Sequence, residues 1–227
     1  AYNVAIGRDA LSDNTTADSN TAIGYRALYL NTNGHENVAI GAFALDAMTT
    51  GNDHVAVGYA ALGALTTGAR CVAVGYAAGG NMTTGDDNTC IGYDAGVQLT
   101  TAANCVAIGG YALATNQGSN SNTAVGWKAL YDLSSAYECT GVGDRAGQNV
   151  TSGVKNTLIG YNAGGNITTG DYNTALGRHA LVTLTTNDHN TAIGEAALET
   201  ATGSPAWRYS NNLFGRATSP FPYRGIV

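Results

Sequence analysis

Few side chains in this sequence could do chemistry: four Cys, four His, and 16 Asp and Glu among 227 residues. Cys71, Cys105 and Cys139 recur every 34 residues, and Cys90 lies between the first two. If 17 residues make one layer of a stack, this step is two layers, about 9.6 Å. A disulfide needs Cα atoms within about 7 Å. Cys90 is one layer from Cys71 and Cys105 but two positions along the strand, also too far. All four therefore read as free, small, buried thiols, with no metal. His35, His54, His179 and His189 never pair at ligand spacing and read as exposed turn residues. Asp53, Asp86, Asp87, Asp171 and Asp188 read as solvated turn acids, because calcium-binding solenoids use a Gly- and Asp-rich nonapeptide that is not found here. The recurring Ala-Ile-Gly-Tyr is not the Gly-x-Ser-x-Gly of a nucleophile elbow, and no phosphate loop is visible. The expectation is a protein without enzymatic activity or cofactor. Asn-x-Thr acceptors at Asn81, Asn149 and Asn166 arise from a repeat consensus and carry no weight for glycosylation.

That repeat decides the architecture. Gly7, Gly24, Gly41, Gly58, Gly75, Gly92, Gly109, Gly126, Gly143, Gly160, Gly177 and Gly194 are spaced by 17 residues throughout. An Ala follows each three places later, as at Ala27 and Ala44. A unit this short cannot be a helical pair, which takes about 33 residues, nor a leucine-rich repeat of roughly 20–29. Its Thr/Val-Ala-Ile/Val segment is β-branched, as a strand prefers, and Gly with polar residues fills the rest. The sequence predicts an all-β chain: a parallel β-roll solenoid of twelve 17-residue coils. Each coil would hold a strand, a corner, a second short extended piece and a Gly turn. Coils about 4.8 Å apart give a rod of roughly 58 Å. Columns of like residues follow, one per coil. Ile23, Ile40 and Ile91 form an apolar column. Asn20, Asn37, Asn88 and Asn156 form an amide column, in which Asn can bond the backbone of neighbouring coils. His54, Cys71, Cys105 and Cys139 stand in that same column, which suggests a buried, tightly dimensioned site.

Composition narrows the partners. Charged residues are only 11%, and the net charge is −6 with 10 Lys and Arg. Nucleic-acid binding needs a basic stripe and is not expected; insertion into a membrane is not expected either, since no run reaches the ~18 apolar residues of a span. The chain opens Ala1-Tyr2-Asn3 without Met or a signal peptide and reads as a processed piece of something longer. Both strand faces are apolar or bare: Thr/Val and Ile/Val on one, Ala and Gly (Ala22, Gly24, Gly41) on the other. Strands apolar on both sides are normally covered on both sides. An oligomer is expected, with the small Ala/Gly face as the place for close approach.

The unit Asn20-Thr21-Ala22-Ile23-Gly24-Tyr25-Arg26-Ala27-Leu28 resembles repeats of phage tail fibres, and also the shorter repeats in the heads of trimeric autotransporter adhesins. The resemblance spans residues 3 to about 206. It implies a homotrimer of parallel β-rolls outside the cell, on a virion tail fibre or a cell surface, that recognises a host-surface glycan or protein receptor. The coil is longer than the adhesin-head coil, which favours the fibre.

After Gly194 the period slips, and the next match, Asn211-Asn212-Leu213-Phe214-Gly215, comes four residues late. The organisation reads as a repeat solenoid over 1–206 and an aromatic-rich C-terminal cap or receptor-binding tip over 207–227. The tail holds Trp207, Arg208, Tyr209, Phe214, Phe221, Tyr223 and Arg224; exposed aromatics stack on sugar rings and Arg pairs with acidic sugars. A second candidate is the aromatic column Tyr25, Tyr59, Tyr76, Tyr93, Trp127 and Tyr161. Rival readings are a spacer or subunit of an extracellular filament, and an ice-binding solenoid built on the Thr pairs such as Thr49-Thr50 and Thr66-Thr67.

Overall fold

The computed structural model describes residues 2–199 and the strand at 211–214. Each repeat supplies one short strand. In chain order these are β1 (Val4–Ile6), β2 (Thr21–Ile23), β3 (Val38–Ile40), β4 (Val55–Val57), β5 (Val72–Val74), β6 (Thr89–Ile91), β7 (Val106–Ile108), β8 (Thr123–Val125), β9 (Thr140–Val142), β10 (Thr157–Ile159), β11 (Thr174–Leu176), β12 (Asn190–Ile193) and β13 (Asn211–Phe214). All thirteen form one parallel sheet in sequence order. The register is the repeat itself: Val72 pairs with Thr89, Ala73 with Cys90, Val74 with Ile91. The chain is thus a β-solenoid. The slip after Gly194 does not end the sheet, because Asn190 pairs with Asn211 and Ile193 with Phe214. The sheet therefore reaches into the segment 207–227.

The second extended piece is not a strand. Outside the strands, each described coil runs through turns and bends, with one isolated bridge between Asn52 and Ala69. These turns are laddered all the same. Leu45 N–H donates to Ala61 O at 3.1 Å, and Thr49 N–H to Thr66 O at 3.0 Å. Backbone that would otherwise be orphaned in the stack is satisfied by the next coil.

Counting the Asn column as position 1, the invariant Gly is position 5, and it turns the chain out of the strand. Its φ is far into the left-handed region, +131° at Gly92, and a Cβ there would sit 2.8 Å from the Gly109 carbonyl carbon. No side chain is compatible with that stack. Left-handed residues follow at positions 7, 9 and 17, for example Phe43, Leu45 and Asp53 with φ of 60°, 51° and 61°. At position 9 Leu alternates with Gly, as at Gly96 and Gly164.

The interior reverses one expectation. The small Ala of each strand points inward: Ala22, Ala39, Ala56 and Ala73 are fully buried. The flanking Thr/Val and Ile/Val residues point outward, and Ile40 and Ile91 remain 38% and 37% exposed. The Ala column is therefore core and not an outer face. The physical reason is volume. Leu from position 9 and Leu or Met from position 12, such as Leu62, Leu65 and Met82, fill the lumen, leaving the strand room for a methyl group only. Departures from this rule compensate one another. A Cβ on Gly96 would sit 2.7 Å from Cys90 Sγ, and one on Gly164 would sit 2.6 Å from Leu158 Cδ2. Cys90 and Leu158 replace the strand Ala in two of the four coils where position 9 is Gly; the coils of Gly79 and Gly147 carry Ala73 and Gly141. In the coils of Gly96 and Gly164 core volume is kept by exchange within the coil, whereas at Gly147 the space is filled by Leu130 and Leu158 from the adjacent coils.

Leu158→Ala should then leave a cavity and cost about 2–5 kcal/mol. Adding Gly164→Leu, which restores the consensus pair, should recover at least half of the loss. Urea melts of wild type, both single variants and the double variant check this; additive losses would contradict the exchange.

Candidate functional surfaces

The outward sheet face is a regular surface that runs the length of the stack. It presents positions 2 and 4 of every strand in two straight columns. Across twelve coils position 2 is Thr or Val, and position 4 is Ile, Val or Leu. None of these 24 side chains is charged. Leu176 is 44% exposed. Free sheet edges ordinarily carry charge that suppresses association, and this face carries none along its twelve strands.

An aromatic column runs beside this face, beyond the Gly bend. Tyr59, Tyr76 and Tyr93 stack in parallel, with centroids 5.2 and 5.1 Å apart and interplanar angles of 10° and 8°. Tyr25 and Phe43 extend the run in one direction, Tyr111 and Tyr131 in the other. Trp127 lies under Arg145 and Lys128, and Tyr161 under Arg178. Sugar stacking needs an open ring face. In the Tyr59–Tyr93 run the faces cover each other, and edges face outward.

The amide column closes each coil. Asn37 Nδ2 donates to Gly51 O at 2.9 Å across its own coil, and Asn37 N–H donates to Asn20 Oδ1 at 3.0 Å across to the neighbour. Asn88 and Asn156 repeat the bond across the coil, to Ala102 O and Gly170 O, both at 2.7 Å. Cys71, Cys105 and Cys139 imitate it with their thiols, which lie 3.3, 3.4 and 3.2 Å from Gly85 O, Ser119 O and Gly153 O. All four cysteines are free and buried. Burial pushes the Cys71 thiol up to about 11 and raises Cys90, Cys105 and Cys139 as well, so reactive thiolate is suppressed.

His54 corrects the exposed-turn reading. It is fully buried in the amide column. Its Nδ1 accepts the Cys71 N–H at 3.2 Å, and its Nε2 faces Gly68 O at 3.1 Å. That pattern suits one species only: neutral imidazole protonated on Nε2. His189 is exposed, whereas His35 and His179 are half-buried, His179 with its ring 5.4 Å from that of Tyr161.

The Thr column at position 13 spends its hydroxyls internally. Thr49, Thr66 and Thr83 Oγ1 donate to Thr66 O, Thr83 O and Thr100 O at 3.1, 3.0 and 2.9 Å. Among the described residues, no group of three or more His, Cys, Asp or Glu is arranged to hold a metal, and no helix is long and apolar enough to cross a membrane. Trp207, Arg208, Tyr209, Phe221, Tyr223 and Arg224 lie outside the described residues. Of the tail candidates only Phe214 is placed, by its backbone, opposite Ile193.

No family model, curated protein or solved structure matches the chain. The twelve internal repeats are the comparison that the sequence offers.

His54 gives a signed pH dependence. Burial, the largest influence, lowers its folded pKa below the ordinary 6.5. The unfolded chain then binds the proton more readily, so stability is full above pH 6.5 and falls as pH drops below it. Thermal melts from pH 7.5 to 4.5 should show wild type losing Tm relative to His54→Asn, which restores the consensus amide. Parallel curves would contradict the buried neutral tautomer.

Proposed function

We propose that the chain is a structural and adhesive fibre segment. It assembles as a homotrimer of parallel rods and serves as a phage tail-fibre region that recognises a host-surface receptor. The observation that carries this reading is the uncharged outward face, continuous over the whole stack. A face about 58 Å long and roughly 10 Å wide offers on the order of 600 Å² per copy, approaching the roughly 800 Å² per partner of a standard interface. Identical columns repeated at one spacing favour a second copy of the same chain over an unrelated partner, since only a like rod matches the period along its full length. The aromatic column continues the apolar surface around the Gly bend. A surface that turns a corner gives each rod two contact directions, which suits a threefold bundle better than a flat pair. The resemblance of the repeat to phage tail fibres supports the same assembly. The interface moves, relative to the sequence expectation, from the Ala/Gly columns to the Thr/Val and Ile/Val columns.

The test is substitution on the face. Val74→Lys with Ile91→Lys would bury two unpaired cations in the bundle, which is costly. Sedimentation velocity should show the wild-type chain as a trimer and this variant as a monomer, while Thr84→Lys on an exposed turn leaves the trimer intact. An unchanged trimer in the face variant would remove the face from the interface.

A further inference from the structure

The repeats act as internal homologues, and they show where the rod departs from its own pattern. Position 13 is Thr in nine of the eleven described coils; the exceptions are Gln117 and Ser134, in adjacent coils. Position 14 is Gly only at Gly118. Position 15 is Ser only at Ser119, and position 16 carries Tyr only at Tyr137. These substitutions fall together, and the surface hollows there. Gly118, Ser119, Asn120, Ser121, Ser135, Tyr137 and Glu138 line an open depression of about 400 Å³.

Stacking alone does not account for the change. The hydroxyl ladder is interrupted at Gln117: Thr100 Oγ1 donates to Gln117 O at 2.5 Å and Ser134 Oγ donates onward to Thr151 O at 3.1 Å, but Ser134 O is served at 3.3 Å by Ser119 Oγ, from position 15. Within the hollow, Asn120 Oδ1 is occupied by the Ala103 N–H at 2.8 Å. Asn120, Ser121, Ser135 and Glu138 line the opening with an amide, two hydroxyls and a carboxylate among their groups, and the Glu138 carboxylate stands 3.9 Å from Lys155 Nζ. Tyr137 is 45% exposed. It lines the depression, so its exposed part is within reach of a ligand there.

We infer that this hollow is a binding subsite for a neutral saccharide. The chemistry is that of a sugar site. One aromatic ring offers C–H contact to a pyranose face. An amide donor, a carboxylate acceptor and small hydroxyls match vicinal diols. The volume is in the range of small-molecule sites. Glu138 and the acidic balance of the chain disfavour an anionic sugar. The inference rests on the receptor-recognition reading above and places recognition on the body of the rod, separate from the tail.

Saturation-transfer NMR on the full chain, with glucose, galactose, mannose and N-acetylglucosamine and their β-linked disaccharides as probes, tests it. The expected result is transfer to the ring protons of at least one probe. Tyr137→Ala should weaken that binding about tenfold, Glu138→Gln should weaken it as well, and Tyr59→Ala on the aromatic column should leave it unchanged. Tyr137→Ala keeps the fold, since Ala69 and Ala103 occupy the same position in other coils. No transfer to any probe, transfer insensitive to Tyr137→Ala, or transfer lost in Tyr59→Ala would overturn the inference. The trimer mass is read on the same samples. A trimer without sugar binding removes the subsite alone, whereas a monomer removes the fibre reading.

Discussion

Every feature of this rod depends on one constraint: each coil must offer its hydrogen-bonding groups to the next at a fixed offset. The strands satisfy it through the parallel register, and the turns through bonds such as Leu62 N–H to Ala78 O at 3.0 Å. Because strand and turn are both laddered, one inserted residue would misplace every donor downstream in its coil. That is why the period holds at 17 from Gly7 to Gly194. The one tolerated slip, before Asn211, falls between two strands that still pair. Side chains obey the same rule. Amides and rings meet their like one coil away, and Thr hydroxyls meet the next coil's carbonyl oxygens, so a residue is selected for how it stacks as much as for what it is.

The period and the all-β solenoid were legible because strict spacing and β-branched triplets have few physical alternatives. The sides of the strand were not. Alternation separates Ala73 from Val72 and Val74 but does not say which side is inside. The lumen decides that, and its size depends on Leu62, Leu65 and Met82 arriving from the turns. Large side chains from the turns leave space only for Ala, so the larger strand residues face outward, against the usual rule that the bulkier residue is buried. The left-handed turns were hidden as well, since Phe43, Lys128 and Leu45 give no local sign of φ above zero. The alternation of Leu with Gly at position 9 was the available signal. His54 was misread by type. Its place in the amide column was the better guide, because a buried column accepts only a residue that donates and accepts at the same two points.

The division of labour follows from this geometry. The interior and the amide column make the rod; they are buried, neutral and chemically inert, and the four thiols with raised pKa values belong to them. The sheet face, free of charge over its whole length, is suited to like rods. The turns carry the acids, and the hydroxyl ladder lapses at Gln117, where a hollow opens beside Tyr137. Association and recognition would then occupy different walls, and neither requires the coil to move.

The most direct measurement of the central claim is small-angle X-ray scattering of the full chain, which reports mass and cross-section together. The account predicts a mass near 69 kDa, three times the chain's 23.1 kDa, with an elongated profile about 58 Å long over its repeat region and a cross-section wider than one coil. A 23.1 kDa particle with a single-coil cross-section at concentrations well above micromolar would contradict it, and the uncharged face would then need another partner.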